Sequence, residues 1–112
     1  MKRVDRVPRL LDDLITNLAV SDELVARGRD TFDTDPAIRL AFEALSNRVG
    51  DLAKRLVAAD PSRFSDLIWS QAARNRDYVV HHYSRVDEQA LWETVSVSFP
   101  RLRGIASNEG DR

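Results

Sequence analysis

A chain of 112 residues with 43% hydrophobic content is the size of one compact core, which leaves no room for a second. It has no cysteine, which excludes disulfides, thiolate metal sites and a cysteine nucleophile and gives no reason to look outside the cytoplasm. Net charge is −1 from 17 basic and 18 acidic residues, so no protein-wide positive field grips a long nucleic acid and any such contact is local. The basic residues are arginine except for Lys2 and Lys54. Coding bias accounts for that preference, although arginine's planar fork also suits bidentate phosphate binding. The stretch Met1 to Arg6 turns charged before any apolar run develops and does not read as a signal peptide. No apolar run approaches the roughly 20 residues that span a bilayer, so a membrane location is not expected.

In chain order, the first helix is predicted from Val4 to about Ala26. Val7, Leu11, Leu14, Leu18 and Val25 fall on one helical face, and Leu10, Ile15 and Leu24 widen the stripe. Gly28 and the polar run Arg29-Asp30-Thr31 are expected to end it. The second helix has Asp35 as cap and Pro36 in its first turn. Its stripe runs Ile38, Phe42, Leu45, Val49, Leu52, Leu56 in alternating steps of four and three. Gly50 sits mid-helix, where glycine costs about 1 kcal/mol relative to alanine. Close approach of a neighbouring helix is the reading given to it. Asp60-Pro61-Ser62 closes the segment.

A turn around Arg63-Phe64 leads to a third helix from near Asp66, through Trp69, to about His82. Asp87 reads as the cap of a fourth, which carries Leu91, Val95, Phe99, Leu102 and Ile105. Pro100 lies inside it, removes the bond to the Ser96 carbonyl, and is expected to kink it. The predicted fold is all-α, a four-helix bundle with up to one short extra helix. Residues 1–106 form its single domain, and 107–112 are a flexible polar tail.

The chemically loaded stretch is Arg74-Asn75-Arg76-Asp77-Tyr78-Val79-Val80-His81-His82-Tyr83-Ser84-Arg85. On a helix, Asp77 and His81 are one turn apart on one face, so the carboxylate can orient the imidazole. Arg76 and Tyr83 share another face. Arg76 and His81 are separated by about 140° around the axis and about 7.5 Å along it, and do not converge easily within one helix. Two copies packed about a twofold axis bring the arginine of one near the histidine of the other, which makes a homodimer with a composite cleft plausible. Such a cleft offers guanidinium groups for phosphate oxygens and an imidazole that titrates near neutral pH, the minimum for cleaving RNA through its own 2′-hydroxyl.

The plainer alternatives stand beside this. A histidine near a helix C-terminus complements the helix dipole; Tyr83 and Trp69 fit a core or an interface; Arg74 and Arg85 fit a solvated surface. Adjacent His81 and His82 point about 100° apart and are poor joint metal ligands, so neither a metal nor another cofactor is expected.

At Arg76-Asp77-Tyr78-Val79-Val80-His81-His82-Tyr83 the sequence resembles the HEPN superfamily and, within it, the HepT-like ribonuclease toxins. Their motif is an arginine, a polar residue, three further positions, then histidine, any residue, tyrosine. Asp77 stands where the family usually has asparagine. The likeness extends to Gly50-Asp51-Leu52-Ala53-Lys54-Arg55-Leu56, to the spacing of Trp69 before His81, and to Val86-Asp87 with Leu91-Trp92-Glu93-Thr94-Val95, covering about Leu10 to Ile105. It implies a dimeric HEPN bundle and a cytoplasmic, metal-independent endoribonuclease, encoded beside a minimal nucleotidyltransferase antitoxin that silences it by transferring AMP to the motif tyrosine. Carried onto this chain, Arg76 stabilises phosphate charge, His81 is the acid or base, Asp77 orients His81, and Tyr83 is the modified residue. The alternative is a non-catalytic HEPN module that binds a nucleotide or a nucleotidyltransferase partner.

Overall fold

The computed structural model describes residues 5–82 and 87–111, with the backbone alone described for 77–82. Every regular element among them is helical. Helix α1 (Val7–Val25) starts where Asp5 Oδ1 accepts the Val7 N–H at 3.0 Å, with Pro8 in its first turn. Val7, Leu11, Leu14 and Leu18 are buried as their spacing predicts, and Ser21 continues the same stripe.

Gly28 has φ +94°, a conformation in which an L side chain is strained. It reverses the chain into α2 (Arg29–Thr34). The polar run Arg29-Asp30-Thr31 therefore opens a short helix rather than only ending α1. The reason is Phe32, fully buried between Phe42 and Trp92 at ring-centroid distances of 5.8 and 5.2 Å. Arg29 lies over both Phe32 and Trp92 and donates to Gln89 Oε1 at 2.8 Å.

Helix α3 (Pro36–Ala59) is capped by Asp35, whose Oδ1 accepts the Ala37 N–H at 3.0 Å. Ile38, Phe42, Leu45, Val49 and Leu56 are buried as predicted; Ala53 is buried more completely than Leu52, which is only partly covered. A second buried row, Ser46, Gly50 and Ala53, gives α3 the breadth to pack on both α1 and α4. A turn at residues 61–64 buries Phe64 edge-on against Trp69, with centroids 4.9 Å apart. Trp69 is thus a core residue. Helix α4 (Leu67–His82) begins where Asp66 Oδ1 accepts the Ile68 N–H at 2.9 Å.

The last strut is one continuous helical rod: α5 (Glu88–Glu93), a wide π-helical turn over Thr94–Ser98, and α6 (Phe99–Gly110). Asp87 Oδ1 caps it, accepting the Gln89 and Ala90 N–H groups at 2.9 and 3.2 Å. Pro100 is accommodated by the wide turn just before it, which adapts the hydrogen-bond ladder where the ring and its missing N–H interrupt an α-helix. The same turn explains the 4-4 spacing of Leu91, Val95 and Phe99, all buried. On a regular helix eight residues drift by about 80°, and one residue absorbed in a wide turn reduces this to about 20°.

Residues 107–110, read from the sequence as the start of a frayed tail, instead form the last turn of α6. Arg63 holds them, donating through Nε to Glu109 Oε2 and through Nη2 to the Glu109 carbonyl, both at 2.7 Å. That contact spans 46 residues and gives no local sequence signal. Helix α4 packs on α3, α3 on α1 and α1 on α6, with α2 against α3. This is the expected all-α bundle with one short extra helix. Among the described residues no helix is long and apolar enough to cross a membrane.

Candidate functional site

The loaded stretch lies on the second half of α4, and α3 sets where that half sits. Gly50 is buried at the crossing. A Cβ built on it would overlap the Cβ of Arg76 and lie 2.8 Å from both Arg76 Cγ and the Ala72 carbonyl oxygen. The close approach expected from a mid-helix glycine is therefore present, and the residue that fills the space is the motif arginine. From that fixed stem Arg76 Nε donates to Asn47 Oδ1 at 3.1 Å. Asn47 is 29 residues away in sequence, and sequence reasoning did not single it out. Its only signal was its position three residues before Gly50, on the same side of α3.

The side chains of Asp77 and His81, and all of Tyr83, fall outside the described residues, as do those of Tyr78 and His82. The α4 backbone continues helically through His82. Arg76 and His81 are thus five residues apart on one helix, and Asp77 is one turn before His81. Arg74 and Asn75 lie on another side of α4, where they line a groove of about 400 Å³. Its floor is Ile68, Ala72, Phe99 and Leu102, and Gln71, Glu93, Thr94 and Ser98 add polar atoms. Arg74 is exposed, in keeping with the solvated surface read for it.

One carboxylate on the same side of α3 is perturbed. Glu43, four residues before Asn47, has its pKa raised above the ordinary value of 4.5 because burial disfavours the anion, with Arg39 opposing the shift. Arg39 is also structural: its Nη1 donates to the Phe32 and Asp33 carbonyls at 3.0 and 2.9 Å and so ties α3 to the end of α2.

Comparison with known proteins shows the family of the chain. The family described as Ribonuclease HepT-like matches residues 14–108, a span that contains Asn47, Gly50, Arg76, His81 and Tyr83. A Thermococcus cleftensis protein bearing the name ribonuclease HepT is 32% identical over 95 residues, covering 85% of this chain and 78% of the relative. A Caldanaerobacter subterraneus subsp. tengcongensis protein named as an RNase is 29% identical over 73 residues, covering 65% of each chain. The alignment thus spans just under two thirds of that relative's length. No solved structure matches. With most of its length inside the family match and the arginine of the motif seated on α4, the chain belongs to the HepT-like family of ribonucleases.

Proposed function

We propose that this protein is a metal-independent endoribonuclease, the toxin of a toxin–antitoxin pair, which works as a homodimer and is silenced by AMP transfer to Tyr83. The observation that carries the reading is the sequence motif Arg76-x4-His81-x-Tyr83 inside the family match, with Arg76 and the His81 backbone on α4. Arg76 meets the scissile phosphate and balances the charge that develops on its oxygens. His81 accepts the 2′-hydroxyl proton as the 2′-oxygen bonds to phosphorus. The bond from phosphorus to the 5′-oxygen breaks, and that leaving oxygen takes a proton from the histidine of the pair that is charged. The products are a 2′,3′-cyclic phosphate and a 5′-hydroxyl, and no metal enters the balance.

Helix geometry supports the dimer. The separation of about 140° between Arg76 and His81 is closed by a second α4 related by a twofold axis. An AMP unit on Tyr83, taken from ATP with release of pyrophosphate, adds an anion where RNA phosphate must bind. Asp77, in place of the family's usual asparagine, favours a second reading in which the chain is a non-catalytic module that binds a nucleotide or a nucleotidyltransferase, since its carboxylate opposes phosphate.

The test is cleavage of single-stranded RNA by purified protein in EDTA. His81→Ala should lower the rate by about 10²- to 10⁴-fold, and Arg76→Ala should also cripple it while the fold persists. Cleavage that requires Mg²⁺, or that survives His81→Ala, overturns the mechanism. A monomer by light scattering at micromolar concentration removes the composite cleft. Co-expression with a nucleotidyltransferase partner should add adenylyl mass to the wild type and none to Tyr83→Phe; the label on Tyr78 instead removes the regulatory reading.

A further inference from the structure

We infer that Asn47 and Gly50 on α3 form a seat that fixes the Arg76 side chain before RNA arrives, which makes Asn47 a positioning residue for phosphate recognition. The inference rests on the ribonuclease reading above and adds to it a residue outside the motif. A long arginine side chain ordinarily samples many rotamers, and ordering it carries an entropic cost. Here its freedom is restricted at two points. The stem lies in the notch left by the missing Gly50 side chain, so near that a Cβ there would meet both Arg76 Cβ and Cγ. Farther along, Nε is held by Asn47 Oδ1 at 3.1 Å.

The two seat residues are three positions apart on α3, hence neighbours on one helical face, and α3 carries no residue of the motif. The notch fixes where the side chain starts, and the amide fixes the direction in which its guanidinium is carried. An arginine prepared in this way binds phosphate without paying the ordering cost on each encounter.

The closing experiment separates this seat from the catalytic reading. Binding is measured by fluorescence anisotropy with a 2′-O-methyl oligonucleotide, which cannot be cleaved, and cleavage is measured with the matching RNA. Asn47→Ala should weaken binding and slow cleavage about 10-fold, the loss expected for one hydrogen bond that orients a charged group, without a change in thermal midpoint. Asn47→Asp, which keeps an acceptor oxygen in the same place but adds a negative charge beside the phosphate site, should retain the ordered Arg76 Nε–H bond while binding RNA more weakly than wild type. In an Arg76→Ala background, Asn47→Ala should have no further effect on binding, because the two residues act as one unit.

In parallel, the Arg76 Nε–H signal in a ¹⁵N-resolved spectrum should exchange slowly with water in the wild type and quickly in Asn47→Ala. An Asn47→Ala protein that binds and cleaves like wild type, while Arg76→Ala is crippled, overturns the seat and leaves the ribonuclease reading standing. Equal losses from Asn47→Ala with and without Arg76 also overturn it. If Arg76→Ala itself changes neither binding nor cleavage, the ribonuclease reading falls and the seat's role in recognition falls with it.

Discussion

Replacing Gly50 by alanine sets two effects of opposite sign against each other, and the structure decides between them. Alanine is the better helix former by about 1 kcal/mol in a helix interior, so on an exposed face the change would stabilise. At the α3–α4 crossing the added methyl would overlap Arg76 Cβ and lie 2.8 Å from the Ala72 carbonyl oxygen. A flexible side-chain tip can swing away, but a backbone carbonyl and a Cβ move only with their helix. Helix α4 would have to retreat from α3, and strain of this kind costs about 1–3 kcal/mol. With several clashes at one methyl the upper part of that range applies, for a net loss of about 1–2 kcal/mol. In a domain of this size that lowers Tm by roughly 4–10 °C. Thermal and urea unfolding followed by circular dichroism reads it directly. A variant that gains about 1 kcal/mol would show that propensity alone governs the site and that the helices are not in close contact there.

Two further outcomes are expected. Because burial raises the Glu43 pKa in the folded state, the native protein binds its proton more tightly than the unfolded chain does. Stability from this group is therefore full below the unfolded value and is lost as pH rises through the raised one. Glu43→Gln should accordingly be more stable than wild type at pH 7 and lose that advantage as pH falls below the ordinary value of 4.5; an advantage of equal size at both ends, by urea midpoint, would refute the assignment. Asp87→Ala removes the cap of the α5–α6 rod, which accepts two N–H groups, and should cost about 1 kcal/mol. Asp87→Asn, measured beside it by the same unfolding assay, should recover most of that loss, and a variant pair with equal deficits would rule out capping as the cause.

The helices were legible because burial on one face leaves a periodic trace. The alternating stripe of α3 and the caps at Asp35 and Asp87 are local signals, written within a few residues of the structure they specify. Gly50 was legible in kind, since a glycine inside a strong helix implies a close neighbour, but its partner was not. Arg76 meets Gly50 and Asn47 across a helix crossing, and nothing local in either segment records the other. The same holds for Arg63 and Glu109, whose ion pair makes a helical turn of residues that composition alone marks as a tail. Phe32 was hidden for another reason: a single buried aromatic among charged neighbours has no period to read, and only its stacking on Phe42 and Trp92 reveals the short helix around it. Of the motif, the arginine's place is seen in full and that of Asp77 and His81 in the backbone alone.

The wide turn at Thr94–Ser98 also marks where this chain can change length without changing shape. A π-helical turn amounts to one residue beyond what an α-helix needs, taken up locally so that both flanks keep their phase. Deleting one residue there would restore an ordinary helix and leave Leu102 and Ala106 in the core and Arg103 opposite its ion-pair partner Asp22. The same deletion between Asn47 and Gly50 would rotate one against the other by about 100° and dismantle the contact with Arg76. The rod thus keeps its packing phase through such a loss, at the expense of the wide turn that accommodates Pro100, whereas α3 must be counted to the residue.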